Sequence, residues 1–310
     1  MAGRYDPTDY LYASARLRAR ESDLLALADP GQPLPFADRT AILEALVAGG
    51  IPHIARADGT PDFAAMLEAF FGTAVKAVRE SAPDPSLTLP FSYPYDCNNI
   101  KTLEKCRIRG ISPDGRLSPL GSVPTDRLTA AFEGGTLQEV LPTLAAGLDA
   151  ARTRYAKSGN PRDVDLCLDA AAFAAMASAA APFPFAAALV AERVDIVNLL
   201  SFCRLLEGGE VERAIFNDAF LSGGTLPQAL FEEHWEKGTK ALSAALRAPR
   251  FLPLLAADSI AAREACADRL LFDFAEKAKS IPFGVEVPIA YLLKTELTVK
   301  RLRLAVAQQT

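Results

Sequence analysis

Apolar residues recur at intervals of three and four along most of this chain, and the runs break at proline and glycine. Leu11, Ala15, Leu17, Leu24 and Leu25 share the apolar side of an opening helix whose other side carries Arg16, Arg18, Arg20 and Glu21. Pro30-Gly31-Gln32-Pro33 ends it. Residues 37–46 predict a second helix, stopped by Gly49-Gly50, and residues 63–78 a third with a strong apolar face. Ala82-Pro83-Asp84-Pro85 reads as a loop, and the Gly/Pro/Ser-rich stretch from Gly110 to Pro124 as a linker. No run alternates with period two, so the expected class is all-α.

The pattern also repeats. Tyr95-Asp96-Cys97-Asn98-Asn99-Ile100-Lys101-Thr102-Leu103 is echoed by Val194-Asp195-Ile196-Val197-Asn198-Leu199-Leu200-Ser201-Phe202, and more loosely by Leu293 to Arg303. Gly134-Gly135-Thr136-Leu137 matches Gly223-Gly224-Thr225-Leu226. In both copies the glycines are expected to stop a helix. Thr136 and Thr225 are then expected to cap the next one, with Glu139 and Gln228 completing a capping box. Repetition predicts three similar helical-bundle domains, 1–118, 119–209 and 210–310. Their landmarks are Asp96, Asn99, Asp195, Asn198 and Glu296. Asp96, after Pro94-Tyr95, is placed as the cap of a helix over 98–107. Asp195 falls inside a longer helix and needs a partner, an arginine or a backbone donor from a neighbouring element.

Composition narrows the function. Half of the 310 residues are hydrophobic and 23% are charged, so a substantial core can form. A formal net charge of −5 argues against a nucleic-acid partner held by charge attraction. The five cysteines contain no C-x-x-C pair, which reads as reduced, mostly buried thiols of a cytoplasmic protein. The beginning of the sequence lacks the apolar stretch of a signal peptide. Residues 170–191 carry no charge, but Pro182-Phe183-Pro184 divides them into two buried helices and not one membrane span.

No phosphate-cradle, zinc-protease or nucleophile-elbow motif occurs. The four Gly-Gly pairs, at 49, 134, 208 and 223, read as helix stops. His53 has no recognisable partner, and His234, among glutamates, reads as a surface residue. No catalytic, cofactor-binding or metal-binding residue is assigned. Two other readings stay open: a helical-repeat scaffold of another kind, and an α-helical enzyme in which Asp96, Asp195 and Glu296 converge on a metal or on acid–base chemistry.

Four stretches carry a resemblance to a known family: Tyr10 to Ala19, Tyr95 to Lys101, Asp195 to Leu199, and Phe283-Gly284-Val285-Glu286-Val287-Pro288-Ile289-Ala290-Tyr291-Leu292-Leu293-Lys294-Thr295-Glu296. Together they resemble the C-type stalk component of bacterial and archaeal V-type ATPases (ATP synthases), the counterpart of the d component in the eukaryotic enzyme. The chain departs from that pattern at Leu200, where relatives carry a lysine, and in the decayed third Asp-x-x-Asn copy. The resemblance implies a pseudo-threefold funnel of three helical domains without active site or cofactor. It also implies a place in the rotor between the D and F components of the shaft and the membrane proteolipid ring, near the membrane stator. The implied location is cytoplasmic, peripheral to the membrane through the complex.

Overall fold

In the computed structural model, residues 6–20, 23–208 and 213–308 are described. Among them the fold is all-α; the only strand-like pairing described is one isolated bridge between Ala55 and Pro61. The chain forms two compact units, one of Met1–Thr88 with Ala265–Thr310 and one of Leu89–Glu264.

The helices of the chain's first part are α1 (Leu11–Arg18), α2 (Asp23–Ala26), α3 (Arg39–Ala48) and α4 (Phe63–Ser81). Asp38 caps α3 by accepting the Ala41 N–H at 2.9 Å, and Asp62 caps α4 through Ala65 at 3.1 Å. α3 ends at Gly49-Gly50, and Gly50 has φ +82°, a left-handed stop that favours glycine. The buried side of α1 differs from expectation. Tyr10, Ala13, Ser14 and Leu17 face inward, whereas Leu11 and Ala15 are exposed. The side chain of Leu24 lies outside the described residues.

Next come α5 (Leu89–Arg109), α6 (Thr125–Glu133), α7 (Leu137–Val140), α8 (Pro142–Ser158), α9 (Arg162–Ala180) and α10 (Pro184–Glu207). α9 lies on both α8 and α5. Between α8 and α9 the backbones approach closely, because a Cβ added at Gly147 would stand 2.4 Å from the Ala171 Cβ. Ile100, Leu103, Leu128, Leu137, Leu144, Leu148, Val164 and Leu168 fill the space between these helices. The uncharged stretch breaks as expected: α9 stops at Ala180 and α10 starts at Pro184. No described helix is long and apolar enough to cross a membrane.

The remaining helices are α11 (Arg213–Ala219), α12 (Gln228–His234), α13 (Gly238–Ala245), α14 (Leu252–Ala256), α15 (Ile260–Glu276) and α16 (Glu286–Gln308). In the second unit Phe202 of α10 meets Phe216, Phe231 and Trp235 edge-on, each with ring centroids 5.6 Å away. α16 belongs to the first unit. It packs along α4 and also touches α1, α2 and α3.

Three local expectations are corrected. Asp96 is not a helix cap: α5 already starts at Leu89 and runs through Pro94, so Asp96 lies inside it. Pro94 sits in the second turn, where its missing N–H removes a single bond to residue 90. Thr136 makes no side-chain cap bond. His234 is buried, with Nδ1 2.8 Å from the Leu230 carbonyl oxygen of its own helix.

Candidate functional site

Among the described residues, the repeated Asp-x-x-Asn pairs form matching buried polar networks. Residues three apart lie on the same side of a helix, so each pair presents a carboxylate and an amide to one neighbouring segment. On α5, Asp96 is fully buried. Its Oδ2 accepts the Ser122 N–H at 2.8 Å and the Ser122 hydroxyl at 2.6 Å, and its Oδ1 accepts the Val123 N–H at 3.4 Å. Asn99 treats Ser118 as a strand would. Its Nδ2 donates to the Ser118 carbonyl at 2.9 Å, and its Oδ1 accepts the Ser118 N–H at 2.8 Å.

α10 repeats the arrangement bond for bond. Asp195 Oδ2 accepts the Thr225 N–H at 3.0 Å and the Thr225 hydroxyl at 2.5 Å, while Oδ1 accepts the Leu226 N–H at 2.9 Å. Asn198 exchanges two bonds with Leu221, both 2.9 Å. The partner anticipated for Asp195 is therefore a loop that supplies two backbone N–H groups and one hydroxyl. A buried carboxylate is costly without such donors.

A glycine makes room in each loop. A Cβ at Gly121 would stand 2.3 Å from Asp96 Oδ1, and one at Gly224 2.2 Å from Asp195 Oδ1. Each clip therefore has the same parts: an anchor residue (Ser118, Leu221), a glycine three on, a hydroxyl residue next, then an apolar residue and a proline. This aligns Gly121-Ser122-Val123-Pro124 with Gly224-Thr225-Leu226-Pro227. The Gly-Gly-Thr-Leu match at 134 and 223 is thereby corrected. Gly134-Gly135 stops α6, with Gly135 at φ +70°, as Gly49-Gly50 stops α3. Gly223-Gly224 instead lies in the loop held by Asp195. The Thr225 hydroxyl binds that carboxylate and does not cap α12, whose N-cap is Pro227.

The third copy is different. On α16 the residues in register with the Asp and Asn positions are Thr295 and Thr298, both fully buried. The Thr295 hydroxyl donates to the Tyr291 carbonyl of its own helix at 2.8 Å. Glu296 stands one residue out of that register and is half-buried.

Other buried charges are also committed. Glu104 accepts from Arg107 and Arg152, with shortest contacts of 2.6 and 2.9 Å. Burial opposes its charge, but the hydrogen bonds from both guanidiniums prevail and hold its carboxyl below the ordinary glutamate range. Lys101 bonds Asp169 and Lys105 bonds Asp165, each at 2.6 Å, tying α5 to α9. Burial pushes the Cys97 thiol up to about 12 and that of Cys203 to about 11, so both are poor nucleophiles. A hollow of about 770 Å³ in the first unit is lined by Asp29, Asp273 and Glu276, each ion-paired with Arg269, Lys279 or Lys294. Among the described residues no group of three or more His, Cys, Asp and Glu is arranged to hold a metal.

Asp96 and Asp195 are each enclosed by a loop of their own, and their oxygens are occupied by donors. That geometry positions backbone; it offers no reacting atom to a substrate. Fold and site thus define an all-α protein built on repeated helix-to-loop clips. The chain belongs to the ATP synthase (C/AC39) subunit family, whose model matches residues 13–307. Membership associates it with the V-type ATPase complex, in which this family is a stalk component and ion transport is the work of the whole assembly. No match was found among curated proteins.

Proposed function

We propose that the chain is the non-catalytic rotor part joining the soluble shaft, made of the D and F components, to the membrane proteolipid ring, and that it transmits torque between them. The family match over nearly the whole chain carries this reading. The clips support it, since a part that bears torque needs loops fixed to stiff helices. In this reading the three helical units each begin with a phrase helix, α5, α10 or α16. The third takes its remaining helices from the start of the chain, so the expected boundaries at 118 and 209 fall within units. Two correspondences favour this division: the matching clips of α5 and α10, and the matching Gly-Gly stops of α3 and α6. The pseudo-threefold funnel and the peripheral position at the membrane belong to the same proposal.

Add-back tests it. Membrane vesicles carrying the complete ATPase are depleted of this chain and refilled with the purified protein. The expected result is restored ATP-driven ion uptake and co-purification with the shaft and the ring. Uptake that is unaffected by depletion, or a chain that binds neither shaft nor ring, would overturn the reading. Charge reversal at matching positions in the three units is expected to weaken ring binding cumulatively.

A further inference from the structure

The loop that corresponds to the two clipped loops in the first unit is residues 27–33, Leu27-Ala28-Asp29-Pro30-Gly31-Gln32-Pro33. Ala28 stands where Ser118 and Leu221 stand, Gly31 where Gly121 and Gly224 stand, and Gln32 where Ser122 and Thr225 stand. Each of the three loops leads into a helix: α3, α6 or α12. The first of these loops meets no carboxylate or amide at positions 295 and 298, which are threonines. It meets Arg301 instead. The Arg301 guanidinium donates to the Leu27 carbonyl, to the Asp29 carbonyl at 2.6 Å and to the Gln32 carbonyl.

We propose that Arg301 is the third clip, with its polarity reversed, and that it latches the start of the chain to the last helix. In the other two clips the helix supplies mainly acceptors, to loop N–H and O–H groups, and only the asparagine amide donates back to one loop carbonyl. Here the helix supplies N–H groups and the loop supplies carbonyls. The fork of a guanidinium suits this, because one planar group reaches several acceptors at once. Arg301 lies six residues beyond Thr295, where α5 carries Thr102 and α10 carries Ser201, so the latch grips from further along the helix. The loop is braced for it: Asp29 Oδ1 accepts the Gly31 N–H at 2.8 Å and Arg269 at 3.1 Å, which holds the bend that carries these carbonyls. Burial pushes the Arg301 guanidinium down, and Asp29 and Asp268 work in the opposite direction.

The correspondence with the other clips rests on the three-unit reading above; the latch rests on its own bonds. Hydrogen–deuterium exchange of the full chain tests it, comparing wild type with Arg301→Met and Arg301→Lys. In Arg301→Met, peptides over 25–34 and 39–48 are expected to exchange about 10- to 100-fold faster, while 118–124 and 221–227 stay within about twofold. Arg301→Lys is expected to fall between, since an ammonium lacks the fork. Unchanged exchange at 25–34, or equal acceleration of all three loops, would overturn the latch. If Arg301→Met does not fold, the other two proteins decide. An unprotected 25–34 in wild type, or a lysine variant equal to wild type, counts against it; partial acceleration in the lysine variant supports it. None of these outcomes bears on the add-back experiment, so the two readings stand or fall separately.

Discussion

Gly224→Ala is expected to cost far more than a methyl group usually does, because the methyl competes for space with a buried carboxylate. The new Cβ would stand 2.2 Å from Asp195 Oδ1, 3.0 Å from its Cγ and 3.0 Å from Val194 Cγ1. The carboxylate has little freedom to retreat. Asp195 is fully buried, and its two oxygens hold three donors between 2.5 and 3.0 Å. Moving it by about 1 Å breaks at least one charge-assisted bond and leaves a buried N–H without a partner, which together cost about 2–5 kcal/mol. The neighbouring Gly223→Ala is the control. Gly223 has φ +105° and open space around it, so its cost is backbone strain of about 1–3 kcal/mol and does not involve Asp195. The assay is urea unfolding followed by fluorescence of Trp235, the single tryptophan, which is buried against Phe202 in the same unit. A double-mutant cycle with Asp195→Ala separates the two mechanisms. Coupling of about 2 kcal/mol or more is expected for Gly224→Ala, since removing the carboxylate makes room for the methyl. Coupling below about 0.5 kcal/mol is expected for Gly223→Ala. A Gly224→Ala cost below about 1 kcal/mol, or the same cost with Asp195 removed, would refute the reasoning.

Three further outcomes are expected. Gly147→Ala gains about 1 kcal/mol of helix propensity but forces α8 from α9 at a cost of about 1–3 kcal/mol, so net destabilisation is expected in urea. Ala171→Gly in the same chain is expected to relieve it, since the contact is Cβ to Cβ. Glu104 has a folded-state pKa below its ordinary 4.5, so its stabilising contribution is complete above that value and is lost as pH falls toward the depressed one. Glu104→Gln is therefore expected to flatten the acid side of the stability–pH profile below about pH 5; an unchanged slope would exclude Glu104 as its source. Finally, Cys97 and Cys203 are expected to resist thiol reagents at pH 8 until the chain unfolds, whereas Cys167 and Cys266, only half-buried, react first. Mass spectrometry of labelled peptides reads the order.

Much of this was legible in the sequence because it depends on neighbours along the chain. The all-α class follows from apolar spacing, the break near Pro182 from two prolines, and the stops at Gly50 and Gly135 from glycine's access to positive φ. The Asp-x-x-Asn pairs were visible as repeats. Their partners were not, since Ser122 and Thr225 lie 26 and 30 residues further on. Thr225 shows why local rules fail there. It satisfies a capping pattern, but a buried carboxylate from another helix competes for its hydroxyl and wins. The identical Gly-Gly-Thr-Leu strings misled for the same reason, one being a helix end and the other a cradle for Asp195. On α16 the acidic residue is Glu296, while the positions in true register are neutral threonines. Arg301 carries no signal that separates it from Arg303, the other arginine of the same helix.

The arrangement of the first unit has a consequence for biosynthesis. Its apolar helix α4, with Phe70, Phe71, Val75 and Val78, leaves the ribosome well before α16, which packs along it and lies about 200 residues further on. Translation at about 5–20 residues per second puts roughly 10–40 s between them. By the end of that interval the intervening unit has all of its own residues available to fold, while the side of α4 that α16 covers still waits for it. The nascent chain thus carries an apolar helix face that a chaperone, or a partner protein already at hand, is expected to shield until α16 arrives.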